Sequence, residues 1–245
     1  MNRITGRELI REIDQTITAT PTLWWLGGNG FIVRFANITF YIDPAFDLFD
    51  GAEIRHADLI LGTHAAAIDG APVERALEAS KSAKLVLPKS AADAAHARGI
   101  PYNRMTTTDA DLRVEYFKGN LYGRIYAVPS ANPSLDWTAG GGYPYLGYLI
   151  RFGRWTIYHA GGCALYESLA ARLKPFNVSL ALLPVSKTNF SPAEAAQLAE
   201  DIGAQWVSPM GAEDQGDFVA HMLGQRPSQR FKVFRKGEKW TIPEE

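Results

Sequence analysis

The order in which short apolar runs alternate with amphipathic ones is the feature that most constrains the fold. "ADLILG" is a short apolar strand, "APVERALEAS" an amphipathic helix with Pro72 in its first turn, and "KLVLP" the next strand, which together make a β-α-β passage. Upstream, "LWWLGGNGFIVRFANITFYIDP" alternates and turns as strands do: Phe31 to Phe35, a turn at Ala36-Asn37 and Thr39 to Ile42 predict a hairpin. The second half repeats this order. "YLGYLIRFGRWTIYHAG" reads as a hairpin around Gly153, "ALYESLAARLKP" as a helix, "VSLALLP" as a buried strand, "SPAEAAQLAEDIG" as a helix and "AQWVSP" as a strand. Two halves of this kind predict an α/β fold with two mixed β-sheets face to face and helices outside, a four-layer αββα sandwich.

The remaining segments fit between these. Arg7 to Ile17 has helical spacing, "SAADAAHARG" reads as a helix ending at Gly99, and strands are expected within Met105 to Thr108, Leu112 to Phe117 and Gly123 to Val128. At 245 residues and 47% hydrophobic, with no stretch that reads as a long linker, residues 1–245 are expected to form one domain.

Charge and cysteine usage narrow the function classes. The 25 basic and 26 acidic residues nearly cancel and form no basic block, so neither nucleic acid nor a membrane surface is an expected partner. No window approaches the roughly 18 uninterrupted apolar residues of a membrane span, and "MNRITGRELIREIDQTITATPT" has no apolar signal region. A single cysteine, Cys163, precludes an internal disulfide and agrees with a reducing compartment; the expected location is cytoplasmic.

Several ordered signposts carry a family resemblance from about Leu23 to Pro209. They are "WLGGNGFIVRF" with "YIDP", "ADLILGTH", "AVPSANP", "YLGYLIRFGRWTIYHAGG", "LLPV" with "NFSPAEAAQLAEDIGA", and "VSPM". In this order they resemble the metallo-β-lactamase superfamily, and in particular its branch that includes the phosphorylated-ascorbate lactonase. The resemblance implies the αββα sandwich, hydrolysis, and a centre of zinc or manganese on a Thr-His-x-His-x-Asp-His signature.

The implied ligands are mostly missing. Thr63 and His64 are kept, but Ala66 stands at the second histidine, and the Asp-His pair falls on Ile68 and Asp69 if no gap is allowed. With a two-residue deletion, Asp69 instead matches a residue beyond the motif and is no ligand. Asn132 replaces the histidine after Ser-Ala, Gly162 the bridging aspartate, with Cys163 beside it in place of a threonine, and Gly211 the last histidine. Gly28 sits where many relatives carry a further histidine. Outer-shell changes alone typically cost about 10 to 100-fold in metal affinity or activity, so loss of most direct ligands implies loss of the two-metal site and its hydroxide nucleophile. No cofactor is expected, or at most one weakly held metal.

What survives supports two readings. In the first, the chain is a catalytically silent binding or scaffold protein with a small-molecule pocket lined by Gly28, Asn29, Tyr143, Tyr145, Glu213 and Asp214. In the second it is a hydrolase of a lactone, phosphoester or amide-like substrate, in which His64, Asp69 and Asn132, with Glu213 or Asp214, hold one metal, or Cys163 acts covalently with His159 and Asp69 near it. Each residue also has an ordinary structural role: backbone hydrogen bonding for His64, turn formation for Asp43, a satisfied core position for His159, a small buried side chain for Cys163 and solvated positions for His56, His96 and His221. "GGGYPYLGY" suits a lip over a pocket or a plain loop into a strand. Trp24, Trp25 and Trp137 suit core packing or the interface of a homo-oligomer.

Overall fold

A computed structural model describes residues 5–45, 47–49, 57–68, 70–211 and 215–244. The first sheet contains β1 (Thr22–Gly27), β2 (Gly30–Phe35), β3 (Ile38–Ile42), β4 (Leu59–Leu61), β5 (Lys84–Pro88) and β6 (Met105–Thr108). The second contains β7 (Arg113–Lys118), β8 (Leu121–Pro129), β9 (Leu146–Phe152), β10 (Trp155–His159), β11 (Leu180–Val185), β12 (Trp206–Gly211) and β13 (Arg230–Phe231). A last strand, β14 (Lys239–Thr241), returns to the first sheet beside β1, giving seven strands to each. The sheet orders are β14-β1-β2-β3-β4-β5-β6 and β13-β12-β11-β10-β9-β8-β7.

The repeated order seen in the sequence is a repeated topology. An antiparallel meander, β1-β2-β3 or β8-β9-β10, leads in each half into a parallel run, β3-β4-β5-β6 or β10-β11-β12-β13. Period-two alternation sends residues of the first sheet to opposite faces. Leu23, Trp25, Phe31, Val33, Phe40 and Leu61 enter the core shared with the second sheet. Their neighbours Trp24, Leu26, Ile32, Tyr41 and Ile60 enter a separate core under the helices. Trp24 and Trp25 are therefore buried, whereas Trp137 is exposed.

The helices are α1 (Gly6–Gln15), α2 (Ala71–Ala79), α3 (Ala92–Ala97), α4 (Leu169–Leu173), α5 (Pro192–Asp201) and α6 (Gly216–Gln225). α1 stops two residues short of the expected Ile17 because Thr16 leaves helical geometry at the C-cap. α5 has a capping box, in which Ser191 accepts from the Glu194 amide and Glu194 accepts from the Ser191 amide.

The helix expected over "ALYESLAARLKP" is shorter than its pattern. Ala164 forms an antiparallel bridge with Ala131 and the Tyr166 hydroxyl donates to the Pro129 carbonyl, so the first residues lie alongside the end of β8 and only Leu169–Leu173 is α-helical. The sequence patterns gave no expectation of α6, β13 or β14. None of the described helices is long and apolar enough to cross a membrane.

Candidate functional site

The carboxyl ends of the parallel strands of both sheets meet at one end of the sandwich. From the first sheet come Asp43 after β3 and Thr63-His64 after β4. From the second come Asn132 after β8, Gly162 after β10 and Gly211 at the end of β12. Four contacts join the two sides. The Gly211 amide donates to the Gly28 carbonyl at 3.0 Å and the Leu146 amide to the Thr63 carbonyl at 2.8 Å. The Tyr148 hydroxyl donates to the Gly62 carbonyl at 2.7 Å, and His159 Nε2 lies 2.7 Å from the Asn29 carbonyl. The chain passes so closely at Gly161 that a Cβ there would lie 2.9 Å from the Leu146 carbonyl and 3.1 Å from Thr63 Cβ. Its φ of +66° likewise requires glycine.

The first-sheet side is a hydrogen-bonded chain. Parallel pairing of β3 with β4, Ile42 opposite Leu61, brings Asp43 to the turn after β4. The Asp43 carboxylate accepts from the Thr63 amide at 2.8 Å and from the Thr63 hydroxyl at 2.6 Å. Thr63 Oγ1 in turn lies 2.9 Å from His64 Nδ1. His64 is thus tied to a side-chain hydroxyl, not to the backbone partner expected for it. Its half-buried ring lies 5.5 Å from that of Tyr145.

Burial raises the Asp43 pKa to about 7, against the lowering effect of both Thr63 bonds, and burial lowers that of His64. Asp43 adopts φ +40°, uncommon for a residue with a side chain, and its two bonds to Thr63 hold the turn in that shape.

The second-sheet side has little to offer a cation. His159 is fully buried, and both ring nitrogens are engaged: Nδ1 accepts from the Gly161 amide at 3.2 Å, which makes Nε2 the donor to Asn29. Burial depresses its pKa to about 4 and holds the ring neutral. A Cβ on Gly162 would lie 3.4 Å from Asn132 Nδ2, so the amide fills the place beside the glycine.

Cys163 is fully buried, its Sγ lies 3.1 Å from the Ala164 carbonyl, and burial raises its pKa. His159 is committed to Asn29 and Gly161, so the Cys163–His159 pairing considered from the sequence is not formed.

Around the rim, Ala66 is exposed on a single 3-10 turn (Ala65–Ile68), and Ile68 points into the helix-side core. Tyr143 packs edge-on against Trp137 at 5.0 Å, and its amide donates to Asp109. Its loop is a tight turn, Gly141 bonding to Thr138 and Thr138 to Gly142. His96 is exposed and stacks on Tyr102, while His221 is half-buried. Asp69, Glu213, Asp214 and His56 lie outside the described residues.

Sequence reasoning did not join Asp43, Thr63 and His64 into one chain. The available signal was that "YIDP" and "LGTH" end consecutive strands.

The described residues do not fit a two-metal centre. The side chain of Ala66, that of Ile68 and the glycines at 162 and 211 offer no lone pair, His64 Nδ1 faces Thr63, and both nitrogens of His159 are bonded. No three His, Cys, Asp or Glu side chains gather to hold a metal among the described residues.

No protein-family model matches the sequence, and no curated protein matches it. The structure is nevertheless similar to several solved ones. Igni18, a metallo hydrolase from Ignicoccus hospitalis, superposes with a TM-score of 0.74 at 19% identity, covering 92% of this chain and 100% of its own. The metallo-β-lactamase fold protein YhfI from Bacillus subtilis gives 0.66 at 13% identity, covering 91% and 99%. An isothiocyanate hydrolase from Delia radicum gut bacteria gives 0.65 at 13%, covering 91% and 100%. Topology and neighbours agree: this chain has the metallo-β-lactamase fold.

Proposed function

We propose that this protein uses the metallo-β-lactamase fold as a binding module, taking a small molecule at the strand ends without hydrolysing it by a two-metal mechanism. The observation that carries the reading is the second-sheet side of the site. Where a bridging carboxylate and neutral imidazoles would coordinate two cations, Asn132 lies against Gly162 and Gly211 bonds through its backbone to Gly28. Hydroxide formation at neutral pH requires a bound cation to lower the pKa of water, and an amide beside a glycine supplies no charge for holding one. What remains suits recognition: an amide at Asn132, a backbone turn at Gly28-Asn29 and aromatic faces at Tyr143 and Tyr145. A small molecule with a planar group and hydrogen-bonding edges matches those surfaces.

A second reading rests on the Asp43–Thr63–His64 chain, which orients an imidazole at the mouth of the site and would suit a general base in metal-free hydrolysis. One variant separates the two. Under the binding reading, His64→Ala leaves stability and the affinity of a ligand found by thermal-shift screening nearly unchanged. Under the second, it abolishes turnover of a lactone or phosphoester substrate. Hydrolysis by the wild type that vanishes in His64→Ala would replace the binding reading with the catalytic one.

A further inference from the structure

The sandwich has four sheet edges, and they are not alike. β13 has two residues, β14 three and β6 four, but β7 has six, Arg113–Lys118, and forms the outer strand of the second sheet with no strand beyond it among the described residues. A long edge strand presents unpaired N–H and C=O groups and is a template for another strand unless proline, a bulge or an unfavourable charge pattern blunts it. β7 contains no proline, and its pairing with β8 is regular from Arg113↔Tyr126 to Lys118↔Leu121.

The hairpin fixes which groups face outward. Gly119-Asn120 forms a two-residue turn with Gly119 at φ +58°, so the closing pair Lys118↔Leu121 is hydrogen-bonded, as are Tyr116 and Val114 with their partners. The backbone groups of Arg113, Glu115 and Phe117 therefore point to the free edge.

We propose that β7 pairs antiparallel with β7 of a second copy about a twofold axis at Val114. The sequence selects this register. With Val114 opposite Val114, Arg113 of each copy stands opposite Glu115 of the other, one cross-strand ion pair that symmetry repeats to make two. Moving the axis one step to Glu115 sets the two Glu115 carboxylates against each other. Arg113 and Glu115 already contact within one strand at 2.9 Å, so pairing joins two exposed ion pairs into an alternating four-charge array.

The inner face supplies apolar burial. Leu112, 54% exposed, lies on the same side of the strand as Val114 and Tyr116. All three line a groove of about 610 Å³ between the β7 edge and the β6 edge, where Thr106 and Thr108 form the other wall. In this register the partner's Leu112 stands opposite Tyr116 and projects into that groove. On the outer face Phe117, 64% exposed and stacked on Tyr122, is shielded by the incoming strand.

Sedimentation-velocity centrifugation of the full chain over a concentration series tests this. The wild type should dimerise reversibly. Glu115→Arg and Arg113→Glu should each weaken the dimer at least tenfold, and the double swap Arg113→Glu/Glu115→Arg should restore it, since it recreates the same pairing with the signs exchanged. Circular dichroism confirms that the exposed substitutions leave the fold intact. A wild type that stays monomeric at every concentration, or a dimer indifferent to the single reversals, would overturn the proposal.

Discussion

The two sides of the strand-end site differ in what they kept. On the first sheet, Ala66 and Ile68 also stand at implied ligand positions, but Thr63 and His64 keep the residue types that the resemblance implies, and Asp43 joins them through short hydrogen bonds. On the second, every implied ligand position is an amide or a glycine. The difference follows from structural duty. Asp43 holds the turn after β3 to the turn after β4, and removing it would leave the Thr63 amide and hydroxyl without their acceptor. Asn132 and Gly211 make backbone contacts, to Ser134 and Gly28, that do not depend on a coordinating side chain, and Gly162 has none to offer.

The comparison can be broken hardest at the residues that stitch the two sides. His159→Ala removes a fully buried ring and strands both the Asn29 carbonyl and the Gly161 amide, so a loss of about 3 to 5 kcal/mol in urea unfolding is expected. Asp43→Ala should cost less, about 2 to 3 kcal/mol, because Asp43 itself is part-exposed and water entering its place can partly satisfy the buried Thr63 amide and hydroxyl.

Acidity separates the two sides by sign. The Asp43 pKa is raised from 3.8 to about 7 in the folded protein, so its contribution to stability is present below pH 3.8 and lost as pH rises through about 7. The His159 pKa is lowered from 6.5 to about 4, so its contribution is present above pH 6.5 and lost as pH falls through about 4. In the wild type these trends oppose each other across the same window. Relative to wild type, Asp43→Asn should make unfolding free energy fall more steeply on acidification from pH 7 to 4, and His159→Gln should tilt it the other way. Parallel pH profiles for the two variants would contradict the assignment.

The smallest effect is expected where ligands were lost. Asn132→His with Gly162→Asp should change stability by less than about 1 kcal/mol, since a Cβ at Gly162 meets only the Asn132 amide at 3.4 Å. A melting temperature far below that of the wild type would mean that these positions carry structural work after all.

Much of the sandwich was legible because strands buried on both faces, between two cores, read as uninterrupted apolar runs bounded by turns, as Leu23-Trp24-Trp25-Leu26 does. Three kinds of feature were not. The pattern of "ALYESLAARLKP" is helical, but pairing of Ala164 with Ala131 outcompetes local propensity at its start. β13 and β14 are too short for periodicity to register and exist through their neighbours, β12 and β1. α6 carries Gly216 and Gly224, which weaken its local signal. In the site, the changed ligand positions could be read one by one from the resemblance. The Asp43–Thr63 bond joins residues 20 apart that meet only through the parallel β3–β4 register, and no local pattern displays it.

Metal content bears most directly on the claim that the second-sheet side no longer holds cations. Tag-free protein purified without chelator, analysed by elemental mass spectrometry and then challenged with zinc and manganese, should show substoichiometric metal and no shift in melting temperature with either ion. Near-stoichiometric metal that is lost in His64→Ala would contradict the account and make the strand ends a working metal site.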